Sequence, residues 1–140
     1  MAGVDLTINE QAVQQLISES GEIGQRITTI TRRVANAART LAPADKGTLR
    51  SSINEEVTAR GNTLVGRVYS DAPQATYLSQ GTGIYGPSHK PIRPKKASML
   101  VFKPKGSSEF VFTNEVKGTP PNKFMLRALQ QASPWPVHEL

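Results

Sequence analysis

The chain has 140 residues, of which 37% are hydrophobic and 6% aromatic, and no cysteine, which excludes disulfides, thiolate chemistry and sulfur-based zinc sites. Its formal charge is +6 with a pI of about 9.9; no run approaches the ~20 apolar residues of a spanning helix, and the start lacks the basic-then-apolar pattern of an export signal. The expectation is a soluble, non-exported single domain over 1–140, with a core lean enough to be completed against neighbouring subunits.

In chain order, the first element is a long helix. Thr7 with Glu10 matches a capping box, and Asn9 is an alternative cap. Leu16, Ile17, Ile23, Ile27, Ile30, Val34, Ala37, Ala38 and Leu41 then recur at spacings of three, four and seven, which predicts an amphipathic helix over 8–41. Ser20-Gly21 and Gly24 weaken it, so a kink or break is expected near 20–21. Arg26, Arg32, Arg33 and Arg39 occupy the remaining positions and read as a solvated face.

The stretch from Ala42 to Ile53 reads as a corner from helix into sheet. Pro43 ends the helix, Asp45-Lys46-Gly47 forms a turn, and Leu49, Ser51 and Ile53 are expected to open a strand, with Arg50 between them. Ile53 to Ser70 reads as a hairpin. Ile53, Glu55, Val57 and Ala59 alternate with Asn54, Glu56, Thr58 and Arg60, and Gly61-Asn62 supplies the turn. On the return strand the phase is open, since Leu64, Gly66 and Val68 alternate with Val65, Arg67 and Tyr69, all strand-compatible.

Asp71-Ala72-Pro73 breaks that strand, and 75–82 reads as a single helical turn closed by Gly81. An extended loop over 83–97 follows; its stretch from Gly83 to Pro94 holds two glycines and three prolines. A second hairpin is predicted from 98–102 and 109–113. Gly118-Thr119-Pro120-Pro121-Asn122 then makes a rigid approach to a last helix from Lys123 to Ala132, and Pro134 and Pro136 leave 133–140 irregular. The fold class is therefore α+β: a long N-terminal helix on a mainly antiparallel sheet of two hairpins, with a short C-terminal helix.

Catalytic patterns are weak. Gly81-Thr82-Gly83-Ile84-Tyr85-Gly86 spells G-x-G-x-x-G, but it follows a turn and precedes a proline-rich loop, whereas a dinucleotide site needs strand before and helix after. His89 and His138 lie in a loop and near the chain end. Glu55 and Glu56 fall on opposite faces of one strand, and Asp71 stands alone. No catalytic, cofactor or metal site is assigned, and no enzyme activity is expected.

The pointed feature is charge. From Asp71 to Glu109 no acidic residue intervenes, while Lys90, Arg93, Lys95, Lys96, Lys103 and Lys105 all fall there. Such a segment faces water or an acidic protein, or contacts phosphate through counterion release, and it makes a small basic nucleic-acid-binding protein the alternative function.

Three blocks, in order between about residues 42 and 130, together resemble one family. They are Ala42-Pro43-x-Asp45-x-Gly47-x-Leu49-Arg50-x-Ser52-Ile53, then Tyr77-x-x-x-Gly81-Thr82-Gly83-Ile84-Tyr85-Gly86-Pro87 with Pro91-Ile92-Arg93-Pro94-Lys95, then Gly118-Thr119-Pro120-Pro121-Asn122-Lys123-Phe124-Met125-Leu126-Arg127-Ala128-Leu129. The combination is similar to the tail-component proteins of long-tailed (siphovirus) phages, the head–tail joining or tail-completion proteins of the neck. Lys123 stands where that family usually has proline, and Ser79-Gln80 replaces its usual acidic or aromatic residues. The resemblance implies a non-enzymatic virion protein, made in the bacterial host cytoplasm, that joins the DNA-filled head to the tail within a homo-oligomeric ring. A hexamer is favoured over a dodecamer. Adjacent connector and tail proteins would be its partners, with non-specific contact to genomic DNA in the channel and none to a membrane. Tail terminator and head-side adaptor or stopper are the alternatives within the neck. Pro43, Asp45, Gly47, Leu49, Arg50, Gly81, Gly83, Gly86, Pro120, Phe124 and Leu126 would be its structural motif.

Overall fold

The computed structural model describes residues 3–43 and 47–139. Asp45, with Ala44 and Lys46, lies outside the described residues, so the turn expected there has no structural counterpart to compare. The elements are α1 (Glu10–Leu16), α2 (Glu22–Leu41), α3 (Thr48–Ser51), β1 (Ile53–Arg60), β2 (Thr63–Ser70), α4 (Pro73–Gln80), β3 (Leu100–Phe102), β4 (Val111–Thr113) and α5 (Phe124–Ala132). This is an α+β fold. Its hairpins form two separate two-stranded antiparallel sheets, β1-β2 and β3-β4. Contacts group the chain into two compact units, Met1–Asp71 with Met125–Leu140, and Ala72–Phe124.

In the first unit, Asn9 rather than Thr7 caps α1, its Oδ1 accepting from the Ala12 amide at 3.2 Å. The expected break falls over 17–21. A side chain at Gly21 would collide with the carbonyls of Gln15 and Leu16, so the turn into α2 closes only around glycine. α2 ends at Leu41, with Ala42 extended ahead of Pro43. Thr31, Val34, Ala35 and Ala38 are buried on one side of it.

The corner departs from expectation. Thr48 to Ser51 is a short helix entered from Gly47 in the left-handed region (φ 73°), and the strand begins only at Ile53. Leu49 points into the core, Arg50 faces solvent, and the Ser52 hydroxyl lies 2.6 Å from that of Ser70 across the base of the hairpin.

The hairpin runs in register from Ile53↔Ser70 to Arg60↔Thr63 around Gly61-Asn62. Pairing of Glu55 with Val68, Val57 with Gly66 and Ala59 with Leu64 settles the open phase: Leu64, Gly66 and Val68 share the inward face. α2 crosses that face at Gly66, where any Cβ would overlap Thr31 Oγ1 and press on Ile27. Arg39 is not part of a solvated face. Its Nη2 donates to the Ile53 carbonyl and to Glu55 Oε2, both at 2.8 Å, with Arg32 adding a longer contact of 3.5 Å to Glu55. On the outer face Arg67 lies over the Tyr69 ring, 4.8 Å from its centroid, and reaches Glu56 at 3.4 Å.

In the second unit α4 is longer than the single turn expected, because Pro73 is its first residue rather than only the breaker of β2. Gly81 (φ 79°) ends it. β3 and β4 pair Leu100↔Thr113, Val101↔Phe112 and Phe102↔Val111, and an isolated bridge joins Ile92 to Val116. The last helix starts at Phe124, one residue later than expected, and from Met125 onward belongs to the first unit; Phe124, Ala128 and Ala132 are buried.

Candidate functional site

The glycine-rich block of the second unit is a clasp. The Thr82 amide donates to the Thr119 carbonyl (2.9 Å), the Ile84 amide to the Lys117 carbonyl (2.8 Å), and the Thr119 amide to Thr82 Oγ1 (2.9 Å). Gly83 (φ 64°) and Gly118 (φ 97°) face each other, and a Cβ on either would enter the other strand's carbonyl. Gly81 and Gly86 are buried, and Pro120 sits in the extended stretch whose Asn122 amide donates to the Leu78 carbonyl. The G-x-G-x-x-G sequence thus receives a peptide segment of its own chain. The central and closing blocks, 30 residues and more apart, meet here.

From this clasp the chain leaves at Pro87 and returns at Glu115, carrying every residue of the basic segment. Lys90, Arg93, Lys95, Lys96, Lys103 and Lys105 are all exposed. They are not equivalent. Arg93 donates through Nε (3.2 Å) and Nη2 (3.1 Å) to Glu115, an acid beyond the acid-free window that the returning chain brings alongside. Lys103 stands over the Phe110 ring at 5.9 Å. Lys90, Lys95, Lys96 and Lys105 have no acidic partner among the described residues, and they form the cationic part of the surface.

Charge alone would have missed the companion feature. Phe110 is 63% exposed, Phe112 66% and Val101 55%. Three-residue strands hold only a few ladder hydrogen bonds, and a lone hairpin is marginal in water. This one also leaves aromatic side chains uncovered, so basic and apolar groups share a single surface. The sequence signal was present: Val101, Phe102, Phe110, Val111 and Phe112 leave too few polar positions for an ordinary solvent face.

In the first unit a cavity of about 590 Å³ opens between α2, β2 and α5, with Trp135 at its rim. Leu126 of the closing block lines it, whereas Phe124 of the same block is fully buried. The walls are mainly aliphatic and hold no paired acid and base. His89 and His138 are exposed and lie in different units; His89 Nδ1 is 3.4 Å from the Ile84 carbonyl. Among the described residues no three His, Asp or Glu side chains come together as a metal-ion site would need, and no helix is long and apolar enough to cross a membrane. Compared with protein-family models, with curated proteins and with solved structures, the chain has no match.

Proposed function

We propose that this chain is a structural subunit of the phage neck, one copy of a ring that joins the DNA-filled head to the tail and carries no reaction centre. The observation that carries the reading is the β3-β4 hairpin, whose Val101, Phe110 and Phe112 are mostly exposed, with the Lys103 ammonium over the Phe110 ring. Apolar strands displayed in this way are covered in an assembly, and a heterologous contact that closes on itself makes a ring. The mutual hydrogen bonding of the Gly81–Gly86 and Lys117–Thr119 segments supports the resemblance on which the neck assignment rests, since it gives those blocks a common structural purpose.

Within this reading the clasp is the base and the 87–115 excursion is the reaching part, directed at the next ring, the tail or the DNA path. Tail terminator and head-side adaptor or stopper are the alternative assignments within the neck. The test is imaging and mass measurement of the purified chain and of particles containing it. Rings in solution or in the neck are expected. Replacement of Lys90, Arg93, Lys95 and Lys96 by glutamate is expected to abolish neck assembly and infectivity, and full infectivity of that variant would remove the role given to the loop.

The exposed, acid-free Lys90, Lys95 and Lys96 favour one second reading, a small basic nucleic-acid-binding protein. Retention on duplex DNA against salt separates the two. Weak, sequence-blind, salt-labile binding accompanies the neck reading, and tight sequence-specific binding replaces it.

A further inference from the structure

We propose that the N-terminal segment Val4–Ile8 of one copy adds as a third strand to the free edge of β2 in a second copy, filling the cavity between α2, β2 and α5. The choice of a second copy as partner rests on the ring reading above; the match of strand to groove does not.

The segment before α1 has no helix or strand of its own, yet Val4, Leu6 and Ile8 alternate with Asp5 and Thr7. Those three aliphatic residues are 97%, 86% and 65% exposed. A two-residue apolar period belongs to a strand with one covered face, and its own chain covers only Ile8, and that in part, in a shallow hollow with Val13 and Asn62.

The receiving edge is equally specific. Consecutive residues Leu64 to Val68 line the cavity, so the strand's backbone edge borders it rather than one of its faces. In an antiparallel ladder closed by a two-residue turn at Arg60↔Thr63, alternate residues turn their amides outward. Ala59, opposite Leu64, confirms the phase by donating its amide to Glu19 Oε1 at 3.3 Å, away from β2. Leu64, Gly66 and Val68 therefore present their N–H and C=O groups to the cavity, and none has another partner among the described residues.

Five added residues rise about 16 Å, the span of Leu64 to Val68 itself. Side chains on the inner face would meet Ile27, Ile30, Met125, Leu126, Leu129 and Trp135. Asp5 would fall on the outer face, which carries Arg67. The opposite edge of the hairpin offers no such site: the hollow beside β1 is walled by Glu19, Arg32, Glu55 and Glu56. Strand addition of this kind takes affinity from main-chain hydrogen bonds and register from alternate side chains.

The test uses the full chain and its Val4→Asp/Leu6→Asp variant, whose substitutions lie at exposed positions and leave the fold intact. The wild type is expected to assemble, and the variant to dissociate at concentrations at least about a hundredfold higher, the order expected for losing two buried aliphatic side chains. A synthetic peptide of residues 3–9 added to the variant is expected to shift the emission of Trp135, the sole tryptophan, to the blue. It should also slow hydrogen exchange at the Leu64, Gly66 and Val68 amides. Wild-type assembly that the variant retains, with no response to millimolar peptide, overturns the arm exchange and leaves the ring untouched. A wild type that stays monomeric at every concentration overturns the exchange together with the ring.

Discussion

Replacing Gly66 by alanine tests the seating of α2 on the hairpin, because the local and tertiary expectations have opposite signs. In the middle of an open strand, glycine to alanine gains about 0.5–1 kcal/mol from reduced chain entropy. At Gly66 the new methyl would overlap Thr31 Oγ1 and sit 3.3 Å from both Thr31 Cβ and Ile27 Cγ2. Thr31 is buried and its hydroxyl bonds the Ile27 carbonyl at 2.8 Å, so it cannot swing aside without breaking that bond or displacing the helix. Overpacking of this kind costs about 1–3 kcal/mol, which outweighs the entropic gain. Divided by a urea dependence of roughly 1–3 kcal/mol per molar, the net loss of about 1 kcal/mol lowers the unfolding midpoint by about 0.5 M. Trp135 fluorescence follows the transition from within the same unit. Thr31→Ala alone is expected to cost about 1 kcal/mol, since the Ile27 carbonyl keeps its place in the helix ladder. Combined with Gly66→Ala it removes the overlapping atom, so the double variant should be more stable than the Gly66→Ala single. A Gly66→Ala chain as stable as wild type, or a double variant whose losses simply add, would refute the packing described for α2.

Other substitutions address the remaining contacts. Gly83→Ala forces a side chain into the left-handed region, at about 1–2 kcal/mol, and into the Lys117 carbonyl; faster hydrogen exchange at the Ile84 and Thr119 amides is the expected result. Arg39→Met removes three hydrogen bonds of the guanidinium, to Asn36, Ile53 and Glu55, from a half-buried position and is expected to cost about 1–3 kcal/mol in urea unfolding, with Arg32→Met close to neutral. Phe124→Ala truncates a fully buried aromatic ring and should cost about 3–5 kcal/mol, measured by the same denaturation.

The long helix and the first hairpin were legible because each repeats one period over many residues. The corner was not. Leu49 and Ile53 are four apart, a spacing that serves a helical turn as well as alternate strand positions, and the chain takes the helical turn first. Arg39 looks solvent-facing in the sequence because its partner lies 16 residues away, although Glu55 carries a signal. It stands in phase with Ile53, Val57 and Ala59, and a carboxylate on an inward face requires a cation from whatever covers it. The basic segment was visible as composition, but local composition could not show that the chain returns Glu115 to Arg93. The glycines of 81–86 were recognisable as loop residues, and Gly118 as part of an extended approach. That they bind each other depends on non-local pairing, which carries no periodic trace.

The Thr82–Thr119 pairing spans 37 residues, and it determines how that stretch can change. Once the two feet are fixed, closing the excursion costs entropy that grows only with the logarithm of its length; even doubling it adds about 0.6 kcal/mol. Lengthening, shortening or exchanging the tip leaves the footing undisturbed. The clasp therefore makes the reach of this surface an interchangeable cassette: a descendant of this chain could acquire a new target by swapping the tip while conserving the glycines that hold its ends.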